Sequence, residues 1–200
     1  MRSDAWWAKV SHMERALIVV DVQIGLNDTG YWGHRNNLDC EANIVRLMEA
    51  WREAGQPIVR VVHHSTNPRS PLRDDHPGHE LKPEVLGRVD LELHKSVHSA
   101  FQGDPDLHAW LAERGVEGIA VCGITTSMCC ETTARAGSDL GYDLWFILDA
   151  THGFDLADPD GVRITADQLS RSTAAVLAAE FGAVVGTEMA CSLVSVASAG

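Results

Sequence analysis

The chain has 200 residues, 45% apolar and 22% charged, with 17 glycines and 7 prolines, a composition that excludes disordered, collagenous and coiled-coil classes. Its 16 Lys and Arg against 28 Asp and Glu give a formal charge of -12, so a nucleic-acid backbone or an anionic membrane would be repelled. No apolar run approaches the roughly 20 residues that a membrane-spanning helix needs.

Met1 to His12 lack the apolar block and cleavage site of a signal peptide, and 1–14 reads as an N-terminal extension to one domain over 15–200. Trp6 and Trp7 within it are expected to pack on a neighbouring surface. Cys40, Cys122, Cys129, Cys130 and Cys191 are too sparse for a disulfide framework and read as reduced thiols of a cytoplasmic protein.

Ala16 to Val20 is β-branched and apolar on both faces, as a central parallel strand is, and Asp21 closes it. A polar loop runs from Gln23 to Asn37. Ile44, Val45, Met48 and Trp51, stopped by Gly55 and Pro57, predict a helix, and Pro57 to Val62 the next strand. The stretch from Ser65 to Gly87, rich in Pro, Gly, Asp and His, is a loop long enough to frame a site. Val89 to Lys95 alternates as a third strand. Asp104 is expected to cap a short helix, with Pro105 in its first turn, ending at Gly115. Gly118 to Cys122 predicts a fourth strand, followed by a glycine-led turn and a helix of small residues from about Cys129 to Leu140. Asp143 to Leu148 is a fifth strand. Thr165 and Gln168 form a capping box opening a helix to Gly182, and Ala183 to Val185 a short sixth strand. The alternation predicts an α/β fold: a single doubly wound parallel sheet of about six strands with helices on both faces, three layers in αβα order.

In such sheets ligands bind outside the carboxyl ends of the strands. Asp21, Lys95 and Cys129 follow the first, third and fourth strands, so an acid, a cation and a thiol are expected at one edge. A cysteine at a helix N-terminus beside a lysine has its thiolate favoured, and a nearby carboxylate can accept its proton. Each also has a plainer reading, as a turn cap, a solvated charge or inert core packing.

The segments Ala16-Leu-Ile-Val-Val-Asp-Val-Gln23, Lys95-Ser-Val-His-Ser-Ala-Phe101 and Val121-Cys-Gly-Ile-Thr-Thr-Ser-Met-Cys-Cys-Glu-Thr-Thr-Ala134 resemble, in order and spacing, the isochorismatase-like cysteine hydrolase family, which includes nicotinamidases and N-carbamoylsarcosine amidase. The resemblance implies Asp21 as general base, Lys95 as the partner cation and Cys129 as nucleophile, with adjacent Cys130 in the core. It also implies a cis peptide at Ile124-Thr125 and an oxyanion hole from the main-chain N–H groups of Thr125 and Cys129. The expected activity is cleavage of a C–N bond in a small amide-type substrate through a thioester, by a homo-oligomer, dimer or tetramer. A vinyl-ether hydrolase and a non-catalytic binding or scaffold protein are the alternatives; the cysteine and the filled catalytic positions weigh against them.

No metal and no cofactor are expected: Val62-His-His-Ser-Thr-Asn-Pro68 lacks the Asp-x-His pair of the metal-binding nicotinamidase branch. His63 and His64, adjacent on an extended strand, point to opposite faces. Substrate-contact candidates at the mouth are Gln23, Trp32, His64, His98 and Phe101.

Overall fold

The computed structural model describes residues 13–197, so Trp6, Trp7 and most of the expected N-terminal extension lie outside the described residues. In chain order the elements are β1 (Arg15–Val20), α1 (Thr29–Trp32), α2 (Cys40–Glu53), β2 (Ile58–His63), β3 (Leu91–Lys95), α3 (Leu107–Glu113), β4 (Gly118–Ile124), α4 (Glu131–Asp139), β5 (Asp143–His152), β6 (Leu156–Ala157), β7 (Arg163–Ile164), α5 (Ala166–Val176), β8 (Ala183–Val185) and α6 (Thr187–Ala197). Among the described residues no helix is long and apolar enough to cross a membrane.

Every residue of β1 is buried, as a strand with neighbours on both sides and helices on both faces must be. The sheet order is β3-β2-β1-β4-β5-β8, all pairs parallel, so the six-stranded doubly wound sheet is present. Alternate side chains of β1 serve different cores. Leu17 and Val19 meet Ile44, Leu47, Met48 and Trp51 of α2 and Ala190 and Val194 of α6. Ala16, Ile18 and Val20 meet Leu107 and Leu111 of α3, Ala134 of α4 and Leu177 just beyond α5. The result is three layers, with both faces of the sheet sealed.

Three local expectations are corrected. Asp106, not Asp104, caps α3, its carboxylate accepting from Ala109 N. Asp104 instead exchanges two 2.9 Å main-chain bonds with His94, extending the sheet edge, and its cis bond to Pro105 lies outside the helix. β5 continues past Leu148 to His152, shifting register against β4 between Val121 and Gly123. The 129–140 helix is divided: a π-turn over Thr126–Cys130 precedes α4.

Two features hold the carboxyl edge of the sheet. The first is the close approach of β4 to β1 at Gly123, whose φ is 121° and where a Cβ would stand 2.1 Å from Val20 O. Only glycine fits both the angle and the gap. The second is a buried polar frame. Arg35 grips Glu41 with two bonds of 2.9 and 2.8 Å, Lys82 Nζ stands 2.5 Å from the same carboxylate, and His152 Nε2 lies 3.8 Å from it. Burial pushes the Glu41 carboxyl up, but the bonds from Arg35 and Lys82 outweigh it and bring its pKa to about 2. His152 is fully buried, with no hydrogen-bond partner at either ring nitrogen among the described residues. Burial, with the Arg35 charge, lowers its pKa to about 3.

Gly123→Ala is expected to destabilise the chain by about 3 kcal/mol or more, since strain and overpacking add, which denaturant unfolding will measure. His152 titrates near 6.5 when unfolded and about 3 when folded, so between these values the unfolded chain binds more protons. Stability therefore falls as pH drops through that window. In His152→Phe the slope of stability against pH should flatten by several tenths of a kcal/mol per pH unit or more, read from unfolding curves at successive pH.

Candidate active site

The carboxyl ends of β1, β3 and β4 meet at one point. Asp21 leaves β1 in the left-handed region, φ 51°, its N–H bonded to Val61 O at 3.0 Å. A non-glycine residue held there costs backbone energy and marks a position over-determined by its surroundings. The register of β2 on β3 sets His63 directly beside Lys95, and directly paired residues present side chains to the same face. Lys95 Nζ then donates to Asp21 Oδ2 at 2.6 Å and bonds His63 Nδ1 at 3.1 Å. Asp21 is 2% exposed and Lys95 3%.

Cys129 arrives from the other side. Beyond β4 the Ile124–Thr125 peptide is cis, and the π-turn closes with bonds from Met128 N and Cys130 N to Thr125 O, at 3.2 and 3.1 Å. The half-buried Cys129 offers its sulfur within 4.8 Å of atoms of both Asp21 and His63. Asp21, Lys95 and Cys129 are therefore brought together. Cys130, one residue on, is fully buried, and burial holds its thiol far above the ordinary range.

Burial raises the Asp21 carboxyl above the ordinary carboxylate range, and the Lys95 ammonium offsets this only in part. For Lys95, burial acts against the charged form, but the Asp21 and Cys129 sites outweigh it and its pKa is raised. Burial and the Asp21 charge push the Cys129 thiol up, with Lys95 pulling the other way. Burial thus opposes the thiolate that the Lys95 ammonium favours, and a carboxylate whose pKa is raised is a stronger base than an exposed one.

Among the described residues, one set has metal-ligand spacing: Asp21, His63 and Cys129. Two of its members already bond the Lys95 ammonium, so this shell holds a cation of the chain's own. His63 is legible in the sequence as a reactive group at the same sheet edge but without a role there; it is the last residue of β2, and its pairing with Lys95 becomes visible only once register is known.

The mouth candidates divide. Trp32 lines a cavity of about 350 Å³ with Tyr31, Thr125, Ser127, Met128 and Phe154, directly beside the cysteine turn. Its ring stacks on Phe154 at 5.4 Å, and its Nε1 bonds Gly25 O. Thr125 Oγ1 at this cavity is buried and has no hydrogen-bond partner among the described residues. His98 is exposed, and its charge acts on Asp21 and His63. His64 turns away to the rings of His79 and His94, bonding the latter at 2.7 Å. Two candidates are corrected. Gln23 is fully buried with its amide spent on main chain, donating to His63 O and His79 O and accepting from His63 N, so nothing is left for a substrate. Phe101 does not line that cavity; it stacks on Tyr142 and abuts Gly137 in the helix layer. Sequence reasoning missed Tyr31, Met128 and Phe154, since an apolar lining residue has the same signature as core.

A family model described as the isochorismatase domain matches residues 15–181. The chain is similar to the uncharacterized isochorismatase family protein YrdC of Bacillus subtilis (strain 168), with 33% identity over 88% of this chain and 93% of that protein. It is 28% identical to Nicotinamidase 3 of Arabidopsis thaliana over 56% of this chain and 64% of that one. The crystal structure of a cysteine hydrolase from Pseudomonas syringae pv. phaseolicola 1448A superposes with a TM-score of 0.82 at 26% identity, covering 92% of this chain and 93% of the other.

Proposed function

This chain belongs to the isochorismatase family of hydrolases, and from that premise we propose that it is a cysteine-dependent amidohydrolase acting on a small amide-type substrate. The observation that carries the reading is the 2.6 Å Asp21–Lys95 pair with the Cys129 sulfur beside it. A buried base, a fixed cation and a thiol at one point of the sheet edge are what acyl transfer to sulfur requires. The names of relatives, a nicotinamidase and a cysteine hydrolase, support the same chemistry.

In the proposed reaction Asp21 takes the Cys129 proton as the sulfur attacks the carbonyl carbon. The negative oxygen is held by the N–H groups of Thr125 and Cys129, whose loss individually would cost about 10²–10³ in rate. The C–N bond breaks and Asp21 returns the proton to the leaving nitrogen, so ammonia or an amine departs and a thioester remains. Asp21 then draws a proton from water, hydroxide adds to the thioester carbon, the C–S bond breaks, and the proton returns to sulfur. Because burial raises the thiol pKa, proton transfer to Asp21 accompanies attack on the carbonyl. Lys95 keeps the carboxylate and sulfur in register throughout.

Trapping with a slow amide substrate is expected to add one acyl group at Cys129, seen by mass spectrometry. Cys129→Ala should lose both adduct and at least about 10³-fold in turnover with its fold unchanged. Ammonia release by the variant at the normal rate would overturn the proposal. Since Asp21 must be ionised and burial raises its pKa, kcat/KM should fall on acidification with a limb lying above the ordinary aspartate value of 3.8. Asp21→Asn should abolish that limb together with about 10²–10⁴-fold of the rate.

A further inference from the structure

An ammonium carries three N–H donors, and in a buried site each needs an acceptor. Lys95 Nζ has Asp21 Oδ2 at 2.6 Å and His63 Nδ1 at 3.1 Å, while the Cys129 sulfur belongs to the same cluster of atoms within 4.8 Å. The cation is thus surrounded by a carboxylate, an imidazole and a thiol. We propose that His63 is the fourth member of the centre, a positioning residue that accepts from Lys95 and thereby holds the ammonium against Asp21 and Cys129 together.

Four observations carry this. His63 and Lys95 are paired residues of adjacent parallel strands, so their contact is imposed by the sheet. The His63 peptide is itself clamped, its N–H donating to Gln23 Oε1 at 2.9 Å and its carbonyl accepting from Gln23 Nε2 at 3.1 Å. A fully buried glutamine that brackets the His63 main chain on both sides, and is itself anchored on His79 O, is support for a side chain that must not move. Because Lys95 can only donate, Nδ1 is the accepting nitrogen and the proton resides on Nε2. Finally, burial, then the Lys95 charge and those of His98, His64 and His79, bring the His63 pKa to about 4, so it stays neutral and able to accept at neutral pH. Asp21 and Cys129 complete the titratable groups facing this point.

Without His63 the ammonium has one acceptor fewer on the sheet side and can swing away from sulfur. The proposal rests on the acyl-transfer reading for its catalytic meaning, but its geometry is read without substrate. The test is the pH dependence of iodoacetamide alkylation at Cys129, followed by peptide mass spectrometry in the full chain, together with kcat and KM. His63→Leu should shift the alkylation curve to higher pH by about half a unit or more, because less positive charge stands by the sulfur. It should also lower kcat about tenfold or more with KM little changed. His63→Asn, whose Oδ1 occupies the place of Nδ1, should recover most of both effects. His63→Ala removes the acceptor without added bulk and should follow His63→Leu if that variant folds poorly. An unshifted curve in both Leu and Ala variants, or an Asn variant shifted as far as they are, overturns the role of His63. A shifted curve in a protein that forms no thioester would sink the hydrolase reading and leave the positioning role standing.

Discussion

A carboxylate and an ammonium sit together where water is almost excluded, and neither would be tolerable alone. Asp21 and Lys95 are 2% and 3% exposed, and the 2.6 Å contact offsets a desolvation cost of several kcal/mol per ion. The pair is placed by the sheet: Asp21 terminates β1, Lys95 terminates β3, and β2 between them carries His63 at its end. The rigid ladder sets the spacing and the side chains have only to reach inward. A mutation that shifted β3 by one residue would send the ammonium to the opposite face, and the acid would be left buried without a partner.

The sulfur is delivered by a different device. β4 ends against β1 at Gly123, where no side chain could be accommodated, and the chain turns through the cis Ile124–Thr125 bond into the π-turn that carries Cys129. The turn is closed by bonds from Met128 N and Cys130 N that converge on Thr125 O. On its far side this turn lines the cavity with Thr125, Ser127 and Met128, so the segment that presents the thiol also shapes the space beside it. The Arg35–Glu41–Lys82 frame ties the loop after β1, the start of α2 and the loop between β2 and β3 to one another.

Much of this was legible in the chain. The β-branched run at Ala16 to Val20, the glycine and proline stops and the Thr165 capping box give strands and helices their order, and alternation with short connections leaves a parallel sheet as the only economical packing. Where local signals competed, they misled. Asp104 precedes a proline and looks like a cap, yet it bonds the sheet edge, and Asp106 two residues later has its carboxylate free for Ala109 N. Gln23 looks like a polar group at a mouth, yet its amide is consumed by main chain at the end of β2 and at His79, both far from it in the chain.

The αβα layering, and which strand ends carry an acid, a cation and a thiol, are written in the order of residues, because periodicity and chain order are local properties. The folded chain alone sets His63 on Lys95, buries the Cys129 thiol between the opposing pulls of Asp21 and Lys95, and stacks Trp32 on Phe154 beside the cysteine turn. Register, burial and the field of neighbouring charges depend on residues far apart in the chain, and no window of sequence contains them.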